Sequence, residues 1–145
     1  MPSEEGDETL GIIYPLIPDH AERFFKGKTV FVKFVGRGAV PSRLHPGSKL
    51  FFYTSGGSRE IIGDARIVKI TTATAREVLE KYADQLFLTA DELEEYVGDR
   101  REKSMLVLSV SNAKKYDSRL KLPKYVTMAG QYMTKQWYES LAKTG

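Results

Sequence analysis

Apolar and β-branched residues recur along the chain in short runs that predict five or six strands. The predicted strands lie at about 10–16, 29–35, 48–54, 59–70 and 104–111, with a sixth expected at 124–128. From Ala65 onward the fourth run alternates apolar and basic residues, which is typical of a strand with one buried face. The fifth run, SMLVLSVS, is apolar enough for a central strand.

Between the strands, apolar residues at helical spacing predict four helices, at about 18–26, 74–83, 89–97 and 134–142. Thr74 and Thr89 each precede a glutamate by three residues, the pattern of a capping box at a helix start. Pro18 opens the first helix and Gly27 ends it. These strands and helices do not alternate as β-α units must, so a doubly wound parallel sheet is not expected.

The order of elements predicts an α+β fold, a small closed mixed β-barrel of five to six strands with flanking helices. Residues 1–9 are polar and acidic and are expected to form a disordered tail, leaving 10–145 as a single domain. We expect the core to contain the following residues: Phe24, Val30, Val32, Leu50, Phe52, Ile67, Leu106 and Leu108.

Charge is distributed unevenly along a chain of 145 residues with a net charge of +3 and a pI near 9.0. Within the eleven residues from 114 to 124, a single acid, Asp117, accompanies five bases: Lys114, Lys115, Arg119, Lys121 and Lys124. This concentration favours a polyanionic partner on one face, although a solvated surface is the simpler interpretation.

The sequence lacks the residues that several kinds of chemistry require. The chain has no cysteine, which excludes disulfides, thiolate metal sites and cysteine nucleophiles. Its histidines, His20 and His45, are not in zinc spacing, and its glycine pairs match no phosphate-binding loop, so we expect neither metal nor cofactor. Without a signal-peptide pattern or a long apolar run, a cytoplasmic protein with no membrane association is expected.

Three stretches together resemble a known family: LIPDHAERFFKGKTVFVKF (16–34), PGSKLFFYTSGGSREIIGDARIVKI (46–70) and FLTADELEEYVGDRREKSMLVLSVSNAKKY (87–116). Their order and spacing resemble the ASCH-type branch of the PUA-like superfamily over about residues 10–140, in the manner of a small archaeal-type stand-alone member. The likeness depends on a helix ending in Gly-Lys before a strand, a strand ending in tyrosine, the IIGDARI pattern, and an acidic helix before a central strand.

The resemblance implies a pseudo-barrel with a cleft that binds RNA, and one small relative is an acetylcytidine amidohydrolase. Family members carry a Gly-x-Lys-x-x-x-h-Arg pattern whose basic residues face the cleft. Here the matching residues are Gly27, Lys28 and, at the arginine position, Lys33, with the spacing shortened by one. Amidohydrolase-like members place a hydroxyl three residues after the lysine, where this chain has Phe31, so the resemblance does not assign that activity to this chain.

Lys28 and Lys33 are the first candidates for RNA contacts. A regular strand places them on opposite faces, so only a bulge would let both line one cleft. Further basic side chains suit phosphate, and Tyr116, flanked by lysines, could stack a base. The remaining candidate contacts are Arg37, Arg59, Arg66, Lys114, Lys115, Tyr116, Arg119, Lys121 and Lys124.

Three functional hypotheses remain open at this point. The first is an RNA-binding module without catalysis, whose basic cleft grips a phosphate backbone and admits a base. The second is a small hydrolase that acts on a modified nucleoside or on RNA in the same cleft. The third is an interaction domain whose basic face docks an acidic protein. Salt-dependent RNA binding would distinguish the RNA-binding module from the interaction domain. Release of product would distinguish the hydrolase from the RNA-binding module.

Overall fold

The computed structural model describes residues 8–35, 41–54, 59–122, 126 and 130–144. The described chain contains six strands: β1 (Thr9–Leu16), β2 (Val30–Lys33), β3 (Lys49–Thr54), β4 (Glu60–Ala73), β5 (Met105–Lys121) and β6 (Gln131–Thr134). It also contains four helices: α1 (Pro18–Phe25), α2 (Ala75–Tyr82), α3 (Ala90–Val97) and α4 (Lys135–Thr144). The predicted α+β class is therefore confirmed, and each predicted helix is present within two residues of its expected ends.

The six strands form one mixed sheet in the order β2-β5-β4-β3-β1-β6, in which β1 and β3 are parallel and the other neighbours antiparallel. The sheet is barrel-like, which confirms the predicted mixed barrel of five to six strands with flanking helices. Within the described residues it is not closed, because β2 and β6 are its two edges. A loop segment occupies part of the outer edge of β2. The Phe87 amide donates to the Val30 carbonyl and the Val30 amide donates to the Gln85 carbonyl, each at 3.0 Å.

The long hairpin of β4 and β5 departs most from the sequence prediction. The fifth strand was expected to end at 111, but β5 continues to Lys121, where it still pairs with Glu60 of β4. Three register shifts let the two strands stay paired over this length, and Asn112 adopts a positive φ of 54° within β5. The strand expected at 124–128 lies, apart from residue 126, outside the described residues, and β6 was not predicted.

Both threonine caps are confirmed. The Thr89 hydroxyl accepts from the Glu92 amide at 3.1 Å, while the Glu92 carboxylate accepts from the Thr89 amide at 2.8 Å. Thr74 and Glu77 make the same reciprocal pair at the start of α2. These bonds satisfy amide groups that the first helical turn leaves without partners.

Both faces of the sheet are buried, so the apolar residues divide into two cores. Along β3, Leu50 and Phe52 enter the larger core, which α1, α2 and α3 cover, while Phe51 and Tyr53 enter a smaller core beneath α4. All eight predicted core residues are buried, and all belong to the larger core. A strand with two buried faces reads as a continuous apolar run, as FFY in β3 does.

Candidate nucleic-acid interface

The structure places Lys28 and Lys33 at different cavities. The register of β2 against β5 runs unbroken from Val30 to Lys33, so β2 has no bulge that would bring the two lysines to one face. Lys28 precedes β2, and its Nζ donates to the Asp84 carbonyl at 2.9 Å. Lys33 ends β2 and is buried, with 9% of its surface exposed. A single ligand could therefore contact both lysines only if it extended from one cavity to the other.

The basic run lies on the second half of β5, where alternation sends neighbouring side chains to opposite faces. Lys115 reaches α1 and donates to the Glu22 carboxylate at 2.6 Å. Arg119 donates to the Glu60 carboxylate at 3.3 Å. Lys114 and Lys121 are also exposed. The run is therefore not one continuous basic surface, and part of its charge is already neutralised by acids of neighbouring elements.

Tyr116 is only partly exposed and packs against the smaller core. Its hydroxyl donates to the buried carboxylate of Asp64, which also accepts from Lys49 Nζ at 3.5 Å. Burial, followed by the bond to Asp64, raises the pKa of Tyr116 well above its usual range. This geometry gives Tyr116 a structural partner inside the protein, whereas the sequence suggested an aromatic ring available to a base.

The remaining sequence candidates are dispersed. Arg66 is exposed on β4, between Lys49 of β3 and Ser111 of β5 in the pairing register. Arg59 immediately precedes β4 with a positive φ of 54°. Arg37 and Lys124 lie outside the described residues.

A cavity of about 390 Å³ opens at the edge of the sheet beside Lys33. We call it the Lys33 cavity. It lies between the end of β1, the outer edge of β2, the segment before α3, and α1 and α3 themselves. Its lining residues are Pro15, Leu16, His20, Phe31, Val32, Lys33, Phe87, Leu88, Glu92, Glu95 and Tyr96. The volume is within the range of small-molecule sites.

Stacked aromatic rings build the floor of the Lys33 cavity. Phe31 of β2 lies between Tyr14 and Phe87, with ring centroids 5.4 and 5.3 Å apart. Phe24 of α1 stacks on Phe87 from the core side at 5.2 Å. Because these rings are held by their neighbours, Phe31 and Phe87 present a fixed apolar surface to the cavity.

Lys33 is the buried charged residue of this cavity, whose lining residues also include the more exposed acids Glu92 and Glu95. Its Nζ lies 5.3 Å from the centroid of the Tyr14 ring, a cation–π distance. Among the described residues, no carboxylate forms an ion pair with it. Burial lowers the pKa of the Lys33 ammonium. The same burial raises the pKa of Tyr14 to about 12.

Glu92, one of the two acids among the lining residues, is engaged by other partners. Arg23 of α1 donates to both carboxylate oxygens, at 2.5 and 3.1 Å, and also donates to the Phe87 carbonyl at 2.9 Å. These bonds and the capping bond from Thr89 hold the pKa of Glu92 at about 2. Arg23 therefore joins α1, the Phe87 segment and α3 into one rigid wall of the Lys33 cavity.

Tyr96 forms the opposite wall and fixes α3 to the end of β2. Its hydroxyl accepts from the Phe34 amide at 2.8 Å, which leaves its own proton available to a further acceptor. The Arg100 guanidinium lies 4.0 Å from the centroid of the Phe34 ring and donates to the Tyr96 carbonyl at 2.8 Å.

Sequence reasoning missed the partners of Lys33. His20, considered in the sequence only as a metal ligand, lines the cavity and packs edge-on against Phe87 at 5.5 Å. Tyr14, Phe87 and Glu92 carried no signal that distinguished them from ordinary core or capping residues. Only the approach of α1 and α3 to the edge of β2 brings them together.

Two further cavities differ from the Lys33 cavity in their lining. One of about 690 Å³, the Lys28 cavity, lies between the end of α1 and the segment before α3, and it shares Phe87 and Leu88 with the Lys33 cavity. The other, about 520 Å³, lies between α2 and α3, with a rim formed by the pairs Arg76–Glu80 and Arg101–Glu94. Neither encloses a buried charge.

Within the described ranges, no group of three histidine or acidic residues is placed to hold a metal ion. No helix in that part of the chain has the length and apolar composition needed to cross a membrane.

Comparison with known proteins identifies both a family and a fold. A family model described as "Domain of unknown function (DUF365)" matches residues 9–135. An uncharacterized protein of the archaeon Methanocaldococcus jannaschii is 28% identical over 105 residues, which is 66% of this chain and 97% of that protein.

Three solved structures are similar to the structure of this chain. The ASCH protein of Zymomonas mobilis has a TM-score of 0.76 at 15% identity, covering 92% of this chain and 94% of that one. A Ser-to-Ala variant of it has a TM-score of 0.77 at 14% identity, covering 95% and 98%. The N-terminal domain of Staphylothermus marinus McrB has a TM-score of 0.58 at 12% identity, covering 95% and 96%. At such identities the likeness shows the fold alone, and the ASCH-type fold implied by the sequence resemblance is confirmed.

Proposed function

The chain belongs to the DUF365 family and has an ASCH-type fold, and from this premise we propose that it is an RNA-binding module whose Lys33 cavity admits one unstacked base. Basic side chains outside the cavity contact the phosphate backbone. The observation that carries this proposal is a buried lysine, with no acidic partner in the described part of the chain, at an aromatic cavity of about 390 Å³.

A buried ammonium without a counter-ion is costly for the protein alone, since burial removes water that would otherwise solvate the charge. A ligand that brings hydrogen-bond acceptors to Lys33 offsets this cost. Acceptors are plentiful on nucleobases and on phosphates. The lysine therefore favours a ligand of this chemistry over a purely apolar one.

The walls of the cavity suit the flat ring of a base. Phe31 and Phe87 give an aromatic floor, and Tyr96 faces the same space from α3. Proteins that read single-stranded RNA commonly stack unpaired bases on aromatic side chains, at about 1–3 kcal/mol per base. A base within a duplex is stacked on its neighbours and cannot enter, so single-stranded RNA is the expected ligand.

The backbone contacts are proposed from exposed basic residues around the sheet edge. Lys28 and Lys26 line the adjoining Lys28 cavity, which shares a wall with the Lys33 cavity. The ion pairs of Lys115 and Arg119 do not prevent these residues from meeting phosphate, because exposed ion pairs contribute only about 0–1 kcal/mol. The wider set proposed for phosphate contact keeps the other basic residues named from the sequence: Arg37, Arg59, Arg66, Lys114, Lys121 and Lys124.

The proposal is tested by titrating fluorescently labelled single-stranded RNA, duplex RNA and single-stranded DNA at several salt concentrations. We expect the single strand to bind more tightly than the duplex, with log affinity falling linearly as log salt rises. Lys28→Ala should reduce the slope by about 0.7, the value for one phosphate contact on a single strand. Lys33→Met should weaken binding to single strands more than binding to duplex.

The matched control is Lys69→Met, because Lys69 is exposed on β4 and lines neither cavity. It should leave the single-strand preference intact. Absence of binding to every nucleic acid at low salt contradicts the proposal, and equal losses for Lys33→Met and Lys69→Met remove Lys33 from it.

A hydrolase acting on a modified nucleoside is the second candidate, favoured by the lowered pKa of Lys33. Depression of that pKa increases the fraction of neutral amine, which can accept a proton from water or a hydroxyl. Incubation with N4-acetylcytidine and with labelled RNA tests this, since product that forms with wild-type protein but not with Lys33→Met indicates catalysis.

A further inference from the structure

The Lys33 cavity and the Lys28 cavity lie end to end in one groove between α1 and α3. On α1, His20 lines the Lys33 cavity and Arg23, nearly one turn later, lines the Lys28 cavity. On α3 the order is reversed, because Ala90 at the start of the helix lines the Lys28 cavity and Tyr96 near its end lines the Lys33 cavity. The two helices therefore form the two walls of a single groove.

A narrow partition divides this groove. Phe87 and Leu88 line both cavities. At the same point Arg23 of α1 donates to both carboxylate oxygens of Glu92 of α3 and to the Phe87 carbonyl, so an ion pair crosses from one wall to the other. The Phe87 ring is itself fixed by stacking on its aromatic neighbours. A ligand that occupies both cavities must therefore pass over a rigid divider.

The two cavities differ in charge. Among the described residues, the charged and titratable side chains lining the Lys33 cavity are Lys33, His20, Glu92, Glu95 and Tyr96. Those lining the Lys28 cavity are Arg23, Lys26, Lys28 and Asp84. The first set holds two carboxylates and one ammonium, whereas the second holds three cations and one carboxylate. Even with Arg23 neutralised by Glu92, the Lys28 cavity keeps an excess of positive charge. Coulombic interaction therefore favours an uncharged base in the Lys33 cavity and a phosphate in the Lys28 cavity.

The Lys28 cavity has room for more than a phosphate. Its volume of about 690 Å³ exceeds the 390 Å³ of the Lys33 cavity. Leu79 and Leu86 add apolar surface to its lining, near the exposed side chain of Lys26. A lining with apolar surface and cations matches a nucleotide, because a base has apolar faces and its phosphate is an anion.

We propose that the groove binds two consecutive nucleotides of single-stranded RNA, one with its base in the Lys33 cavity and its neighbour in the Lys28 cavity, with Lys26 and Lys28 at the phosphate. This inference rests on the proposed function, because it sets the length of RNA that the same site recognises. From His20 to Lys26 the rise along α1 is about 9 Å, compared with about 3.4 Å between stacked neighbours in a strand. The two bases are therefore unstacked, with the Phe87–Leu88 partition between them.

The test uses RNA octamers that share the same phosphates and differ only in which positions carry a base. The positions with a base are none, one, two that are adjacent, or two separated by three base-free riboses, in parallel uracil and adenine sets. We expect the adjacent pair to bind at least about fivefold more tightly than the single base, the lower end of what one stacked base contributes. The separated pair should gain no more than about twofold, because filling both cavities would require the riboses between the bases to loop out.

A matched pair of variants tests the Lys28 cavity. Ala90→Glu and Ala75→Glu each add a carboxylate at the first residue of a helix that follows a threonine capping box, but of the two only Ala90 lines the Lys28 cavity. A carboxylate there occupies space and repels phosphate, so Ala90→Glu should reduce the ratio of adjacent-pair to single-base affinity to less than about twofold. Ala75→Glu should keep the wild-type ratio, with the fold of both variants checked by circular dichroism.

The octamer comparison needs only wild-type protein, so it remains decisive if Ala90→Glu does not fold. Equal affinity for the adjacent and separated pairs, together with clear binding of ordinary single-stranded RNA, overturns this inference and leaves the proposed function standing. An equal loss of the ratio in both variants overturns the assignment of the second nucleotide to the Lys28 cavity. No binding of any RNA overturns both the inference and the proposed function.

Discussion

Lys33 and the basic second half of β5 show two contrasting ways in which positive charge occurs in this protein. Lys33 is buried, with no acidic partner among the described residues, beside an aromatic cavity. Lys115 and Arg119 are exposed and paired with Glu22 and Glu60. The dense basic run is the more conspicuous feature of the sequence, yet the isolated lysine is in the more specialised environment. The dense basic run thus lies on solvated surface, whereas Lys33 lies where a ligand could supply the hydrogen-bond acceptors that the described residues do not give it.

The largest predicted difference is between substitutions in the two halves of β5, compared by their effect on the free energy of unfolding. Leu106, opposite Lys33 in the β2–β5 register, is completely buried in the larger core. Leu106→Ala should lower the free energy of unfolding by about 2–5 kcal/mol, because it removes packed methyl groups and leaves a cavity. Arg119→Ala, in the exposed half, should change it by less than about 1 kcal/mol. Urea denaturation of both variants checks this, and a loss below about 1 kcal/mol for Leu106→Ala contradicts the central position of the strand.

Replacing Lys33 should stabilise the free protein while impairing its binding. Lys33→Met keeps a long side chain and removes a buried charge, so we expect the free energy of unfolding to rise by about 1–3 kcal/mol at neutral pH. A change of the same sign in Lys69→Met would show that the effect does not depend on burial. Thermal denaturation without RNA gives the measurement.

The stability difference between wild type and Lys33→Met should shrink as the pH rises. The folded pKa of Lys33 is lowered from 10.5 by burial, so between the folded pKa and 10.5 the unfolded chain binds more protons than the folded one. Wild type therefore gains stability with pH in this alkaline window, whereas Lys33→Met lacks that gain. Below the folded pKa both states are protonated and the penalty is complete. A difference that stays constant from neutral pH to 10 contradicts an unfavourably buried ammonium.

Substitutions of Tyr116 test whether its ring contacts RNA or only packs against the smaller core. Tyr116→Phe keeps the ring but removes the donor to the buried Asp64, so stability should fall by about 1–2 kcal/mol. RNA affinity should not change. If Tyr116→Ala weakens RNA binding by about 1–3 kcal/mol at an unchanged salt slope, the ring stacks a base as the sequence suggested.

The smallest effect is expected for Lys115. Lys115→Gln breaks an exposed ion pair with Glu22 and should change the free energy of unfolding by less than about 1 kcal/mol, with the effect declining at higher salt. Glu22→Gln serves as the matched change on the other partner. A large loss from either would mean that the pair holds α1 against β5.

Much of the framework was determined by local sequence. The capping boxes at Thr74 and Thr89 and the apolar periodicity of the helices located α2 and α3, because caps and amphipathic faces depend on residues only a few positions apart. The eight core residues followed from the same local patterns. The ASCH-type fold was recognisable from the order of these elements.

The site was decided by tertiary structure. The sequence could name Lys28 and Lys33 but could not show that they face different cavities, since this depends on the unbroken pairing of β2 with β5. It identified Tyr116 as a candidate ring but could not show the buried Asp64, 52 residues away, that accepts a hydrogen bond from its hydroxyl. The environment of Lys33 arises where β1, β2, α1 and α3 converge. The burial of Lys33, with no counter-ion among the residues described, is a property of that convergence, because desolvation depends on everything that surrounds a charge and not on its neighbours in the chain.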